Sequence, residues 1–425
     1  MGSTGKLTGV LKKYTMLLAL VVVVIFFFFA TDGVTLNPKN INNLIAQNAY
    51  VFVLATGMLL CILTGGNIDL AVGSVVCFAG GVGAVMMDKN IPWPVATVVM
   101  LVIGLLIGMW QGFWIAYIKV PPFIATLAGM LAFRGLSNVV MGGYQYTVDD
   151  QTFLNVFGGG ADCYIPDLLR NEGFVTAVGK TLNGWGIQFH DVEGNVVSLN
   201  EYTFNWTCLY VGIIFVIGFV IFTIVNRGLL KKNGYTLDPV IAVIIKTVLI
   251  CGVALWIAFK LASYKGIPTA LIWIIAVLAI FSYITKKTTL GRNFYAVGGS
   301  EKATRLSGIN TNRVMFLAYT LMGFLAGFAG ILNIARYVGA QPTYGQGYEM
   351  DAIAACFIGG ASAYGGTGTI GGVIIGAALM GVINQGMSIM GTSANMQVVV
   401  KGLVLLIAVF FDVMSKVFKK GGSKA

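Results

Sequence analysis

Charge is scarce in this chain. Asp, Glu, Lys and Arg make up 10% of its 425 residues against a hydrophobic fraction of 57%, and the mean hydropathy is +0.85, which excludes a water-soluble globular protein of this length. Histidine is scarcer still: His190 stands alone, nothing near it completes a metal set, and it reads as a surface residue. The cysteines at 61, 77, 163, 208, 251 and 356 show no CxxC or metal-ligating spacing, which leaves a Cys163–Cys208 bridge outside the membrane as the pairing open to them. HExxH, a dinucleotide fingerprint, a nucleophile–base constellation, a TVGYG filter and a ring-forming acidic cluster are all missing. Gly179, Lys180 and Thr181 are only a fragment of a phosphate-binding loop, because Gly173 stands one residue too far upstream. The chain therefore has no equipment to hydrolyse ATP or perform covalent chemistry, and it is not an enzyme.

What it has is apolar length. Runs of about 17 to 25 residues, the length that crosses a bilayer as helix, are read near 15–31, 47–64, 70–87, 94–118, 121–142, 205–226, 238–259, 268–285, 314–335, 350–363, 368–391 and 397–415. The count falls to ten or eleven if the stretches 350–363 or 59–76 are re-entrant. The first run has basic residues before it, but Thr31, Asp32 and Gly33 do not make a cleavage site, so it is taken as a span. The net charge of +11 would suggest nucleic acid in a soluble protein. Here the basic residues alternate with the spans: Lys6, Lys12, Lys13, Lys119, Arg227, Lys231, Lys232, the segment from Lys286 to Arg313, and Lys416 to Lys424 fall on one side. The segment from Tyr144 to Phe204 falls on the other, carrying Asp149, Asp150, Asp162, Asp167, Glu172, Asp191, Glu193 and Glu201 against Arg170 and Lys180. Both termini are therefore expected in the cytoplasm. Within the external segment, alternation around Glu193 and Gly194 predicts a small hairpin.

Several polar residues interrupt the runs. Gly65, Gly66, Asn67 and Asp69 break one run, and the glycine-rich stretch from Ile358 to Gly372 breaks another. The pair is the trace of an internal repeat, with the pathway expected between the halves. Asp69 reads either as the N-cap of a helix from Leu70 onward or as an intramembrane carboxylate on an ion or substrate path. Pro121 and Pro122 suit the start of a span, and Arg134 either snorkels to the outer interface or lines an outer vestibule. Small residues such as Gly104, Gly108, Gly376 and Gly381 serve close helix packing. Arg336, Glu349 and Asp351 flank an external loop and read as interfacial. Asn384 and Gln385 hydrogen-bond another helix or a sugar.

The most polar island is Gly291 to Arg313. Ser300 can cap a short helix with Glu301 at its positive end and Arg305 as an i,i+4 partner, and Gly308 ends it. A helix of about two turns is unstable alone, so it packs on something: another protein, or nothing more than a loop obeying the positive-inside rule.

GGNIDLAVGSV, KVPPFIATLAGMLAFRGL, GRNFYAVGGSEKATRLSGIN, EMDAIAACFIGGASAYGGTGTIGG and INQGMSIM, in that order, resemble the permease subunits of bacterial monosaccharide ABC importers, the ribose, galactose and xylose group. The extra pair of spans from about 238 to 285 is most similar to xylose-type and multiple-monosaccharide permeases. The resemblance implies an all-α integral membrane protein of the inner membrane, a polytopic bundle of about ten to twelve helices with two pseudo-repeated halves. Its segments would be 1–142 and 314–425 as the two halves, 143–204 as an external insert longer than the family leads one to expect, 205–285 as further helices with a basic linker, and 286–313 as a cytoplasmic coupling segment. It also implies a second permease copy, a sugar-import ATPase that binds the ATP and Mg, a periplasmic or lipid-anchored sugar-binding protein, and no cofactor in this chain. Gly298, Gly299, Ser300, Glu301, Lys302, Arg305, Leu306, Ser307 and Gly308 become the expected ATPase contact. Asn67, Asp69, Trp110, Trp114, Asn384 and Gln385 are the expected path residues, chosen by polarity and position. The rival expectation is an ion-coupled secondary transporter using Asp69.

Overall fold

A computed structural model describes residues 4–160, 163–167, 189–190, 196–197, 204–232 and 240–421. The phosphate-loop fragment at Gly179 to Thr181 lies outside them. Sixteen helices carry these residues, and they divide into two units.

The first unit comprises Met1–Thr35, Leu44–Cys163 and Thr269–Ala425. Its helices are α1 (Thr4–Ala30), the end of α2 (Pro38–Gln47), α3 (Ala49–Leu63), α4 (Val72–Asp88), α5 (Trp93–Ala116), α6 (Pro122–Met141), α7 (Gln151–Phe157), α10 (Thr269–Lys287), α11 (Thr289–Gly299), α12 (Glu301–Leu306), α13 (Thr311–Tyr337), α14 (Tyr348–Ile358), α15 (Ile370–Ile389) and α16 (Ala394–Gly421). Every residue of α3 is buried. A helix apolar on all sides can satisfy its surface only in the middle of a bundle, and α13, buried over most of its length, packs against it. The strands β1 (Tyr146–Thr147) and β4 (Gly339–Ala340) pair antiparallel beyond the ends of α6 and α13.

The second unit, Leu36–Asn43 with Tyr164–Pro268, holds α8 (Trp206–Lys232) and α9 (Val240–Ala262), packed as a pair. Asp167 fixes the start of α8: its carboxylate accepts from the Trp206 and Thr207 main-chain N–H groups at 3.0 and 3.1 Å. An acidic side chain is favourable at that end because the helix leaves its first N–H groups unpaired and positive. The expected hairpin is present, with β2 (Phe189–His190) antiparallel to β3 (Val196–Val197).

Each of the twelve apolar runs coincides with a helix. By length and composition six of the described helices can cross a membrane, the broken pair α2 and α3 makes a seventh, and the apolar stretches Met16–Ala30, Val72–Asp88 and Ala394–Phe410 are shorter. The tenth run, left open as re-entrant, does not hold a spanning helix. Only Tyr348–Ile358 is helical there, which is about 16 Å and too short to span the hydrocarbon. All six cysteines are free, so the Cys163–Cys208 bridge does not form.

Close glycine packing holds the centre. A Cβ on Gly104 would strike the Gly323 and Gly327 main chain and one on Gly108 the Tyr319 carbonyl and Gly323, while one on Gly323 would strike Gly104 and Gly108 in return. The four-residue spacing places both glycines of each helix on one face, so the backbones of α5 and α13 touch. Gly376 packs on the Ala355 carbonyl in the same manner. Gly323→Leu should therefore destabilise the protein by about 1–3 kcal/mol through overpacking, read as a lower thermal midpoint in detergent. Gly228→Leu, at a position where a Cβ meets open space, should leave it unchanged.

Candidate functional site

The two glycine breaks predicted from sequence meet. After α3 the chain turns through Gly65 and Gly66, both at positive φ, and runs irregularly from Asn67 to Ala71 before α4 begins at Val72. After α14 it turns through Gly360, Gly365, Gly366 and Gly368, again at positive φ. Gly366 donates its N–H to the Leu63 carbonyl at 3.1 Å. A Cβ on Gly66 would collide with the Ala363 carbonyl, and one on Gly365 with Gly65. Only chain without side chains allows this approach.

The polar island closes on the same point. Thr288 caps α11, accepting from the Gly291 N–H at 3.2 Å, and Phe294 and Val297 anchor it in the core. Tyr295 donates to the Gly368 carbonyl at 2.8 Å. Gly298 lies against both the Leu63 carbonyl and Gly366. Beyond it Ser300 caps α12, accepting from the Ala303 N–H at 3.2 Å. Glu301 does not pair with Arg305: its carboxylate faces Lys119 at 3.6 Å and accepts from the Thr311 hydroxyl at 3.2 Å. The i,i+4 partner is displaced because the loop between α5 and α6 brings Lys119 alongside, where Lys119 also donates to Asn312 at 2.6 Å. Gly299, Ser300, Glu301, Lys302, Arg305, Leu306, Ser307 and Gly308 are exposed. Leu306 is 81% exposed, an apolar side chain projecting from a helix of six residues, with Thr304 the one buried member of that helix.

The expected path residues fall in three places. Asn67 and Asp69 lie in the first break. Asn67 donates to the Thr64 carbonyl at 3.2 Å. Asp69 is buried and accepts from the Ala71 N–H at 2.9 Å, one residue short of the helix it was expected to cap at Leu70. Trp110 and Trp114 stack edge to face at 6.4 Å on an outer face of α5. Asn384 and Gln385 lie on α15, and Gln385 is buried.

Asn384 belongs to a cluster that sequence reasoning missed. Asp351 is not interfacial but 0% exposed. Its Oδ2 accepts from Tyr50 at 2.6 Å, Lys401 at 3.0 Å and Asn384 at 3.4 Å, joining α3, α14, α15 and α16. Tyr50 stacks on Tyr348 at 3.6 Å, and Asn333 donates to the Tyr348 hydroxyl at 2.7 Å. The signal was available, since an ionisable residue inside an apolar run needs a partner, and Asp351 and Lys401 are of opposite charge. Arg134 donates to the Pro342 and Tyr344 carbonyls at 3.0 and 2.6 Å, holding the loop before α14.

A polytopic helical bundle interrupted by two glycine breaks suits a membrane permease. The chain belongs to a protein family described as branched-chain amino acid transport system / permease component, which matches residues 40–162 and 174–409. It is a multi-pass protein of the cytoplasmic membrane. It is 35% identical over 409 residues to the xylose transport system permease protein XylH of Haemophilus influenzae, covering 96% of this chain and 97% of that protein. The Escherichia coli XylH is 32% identical, covering 96% and 93%, and the ribose import permease protein RbsC of E. coli is 31% identical, covering 89% and 88%. No solved structure matches significantly.

Removing one member of the buried pair strands a charge. Lys401→Met should cost about 3–5 kcal/mol, whereas Lys401→Met with Asp351→Leu should cost less than the two single changes summed. Thermal unfolding of the four proteins in detergent measures the difference.

Proposed function

We propose that this chain is the membrane-spanning subunit of an ATP-driven importer that carries a monosaccharide, a pentose such as xylose or ribose, into the cell by alternating access. The observation that carries the reading is the placement of Gly298: the segment that resembles the coupling region of sugar permeases rests on both glycine breaks at once. A push on α12 from outside the subunit therefore passes through Gly298 of α11 to Leu63 at the end of α3 and to Gly366 in the break between α14 and α15, main chain to main chain. The substrate class is supported by near end-to-end similarity to xylose and ribose permeases.

Two copies of the chain form the pathway, and a cytoplasmic ATPase binds the ATP and Mg and docks on Gly298 to Gly308. A periplasmic or lipid-anchored binding protein delivers the sugar. Exposed Leu306 and Arg305 are the grip, because a short helix with an apolar side chain in water is completed by a partner. The motor moves the bundle only if its ATP-bound state favours one permease conformation over the other. Asn67 and Asp69 line the path at the first break. An ion-coupled cycle through Asp69 has less support, since that carboxylate accepts from the Ala71 main chain and makes no ion pair among the described residues.

The test is reconstitution of the permease with its ATPase and binding protein in liposomes. Labelled xylose uptake should require all three and ATP, and Arg305→Asp or Leu306→Asp should reduce uptake by about tenfold or more while basal ATP hydrolysis continues. Uptake by the permease alone under an ion gradient, lost in Asp69→Asn, would reverse the conclusion.

A further inference from the structure

Helix α12 is loosely mounted at both ends. Gly299 before it and Gly308 after it border open space where a side chain would stand, and Gly308 turns at positive φ. Of the six residues between them only Thr304 is buried. A short helix attached at one point between two glycines is free to roll. A push at Leu306 would then turn α12 on itself instead of reaching Gly298.

A second attachment prevents this. Glu301 is the one carboxylate between Lys286 and Arg313. Its Oε1 accepts from the Thr311 hydroxyl at 3.2 Å and lies 3.6 Å from the Lys119 ammonium, and Lys119 donates to Asn312 at 2.6 Å. Lys119 is itself held. It stands at φ 66°, a left-handed conformation that a residue with a Cβ keeps only where its surroundings impose it. The next N–H, that of Val120, donates to the Trp114 carbonyl at 3.0 Å, and Pro121 and Pro122 follow with φ locked by their rings. The turn that leaves α5 therefore has little play, while Thr311 and Asn312 open α13. These are the two helices whose glycines mesh. Around α12, Glu301 lies about 60° from buried Thr304, and Leu306 lies about 160° from Thr304. The attached side and the apolar tip are thus opposite one another.

We propose that Lys119 is a positioning residue of the coupling step: with Thr311 and Asn312 it braces Glu301 against the ends of α5 and α13, so that force applied at Leu306 is delivered to Gly298 rather than lost as rotation of α12. This rests on the coupling reading above and takes Glu301 out of the docking surface. The Lys119 and Glu301 side chains are 49% and 46% exposed, so their attraction adds little to stability. Its effect is on the direction in which a short lever moves.

The test uses the complete reconstituted importer and reads labelled xylose taken up per ATP hydrolysed. Lys119→Glu and Glu301→Lys should each lower that ratio by about fivefold, the order of effect of a residue on a coupling route. Thr311 and Asn312 can each donate or accept, so they serve an exchanged pair as well, and Lys119→Glu combined with Glu301→Lys should recover most of the ratio. The ATPase should co-purify with Lys119→Glu as it does with the unaltered chain. An unchanged ratio in both single variants overturns the brace. So does a loss that the double exchange leaves unrepaired, or one in which Lys119→Glu also sheds the ATPase, which would put the lysine in the docking surface. Absence of ATP-driven uptake by the unaltered importer would instead refute the importer reading itself.

Discussion

The structure depends on main chain touching main chain at Leu63, Gly298 and Gly366. Side-chain contacts deform as rotamers change, but a carbonyl against a glycine N–H leaves nothing to yield. Three segments far apart in sequence are held there by one hydrogen bond of 3.1 Å and by the absence of Cβ atoms. Tyr295 repeats the link one turn away. Each half of the bundle ends its helix at this spot, so the breaks are the positions at which α3 and α14 are fastened rather than gaps in them.

The short helix α14 has a second fastening at its other end. Asp351 gathers a lysine, a tyrosine and an asparagine from three other helices. Burying charge is expensive, and a pair of this kind contributes little net stability against an apolar substitute. Its effect is to select one arrangement of four helices, since any other leaves a carboxylate stranded. The 11 residues of α14 carry the Asp351 contacts in the first turn and are followed directly by the glycine break.

Much of this was legible in the sequence, and the failures have physical causes. Apolar runs gave the helices because a bilayer selects length and hydropathy directly, and Ser300 and Gly308 marked the ends of α12 because capping is local. Gly104 and Gly108 marked close helix packing, but which helix they meet came only with the fold. What sequence order could not supply was partnership across the bundle. Glu301 was paired with Arg305 by helix spacing, yet the nearer cation arrives from a loop 182 residues away in sequence, a separation read as 301 minus 119. Asp351 stood beside an external loop, and only the fold shows Tyr50 and Lys401 closing over it.

The interlocked glycines of α5 and α13 have a consequence for motion. Helices whose backbones mesh at this range cannot slide or roll past each other without collision, so the two must travel as one piece. Any change of access is then confined to what surrounds that post, and the bundle works as a fixed mast with movable rigging.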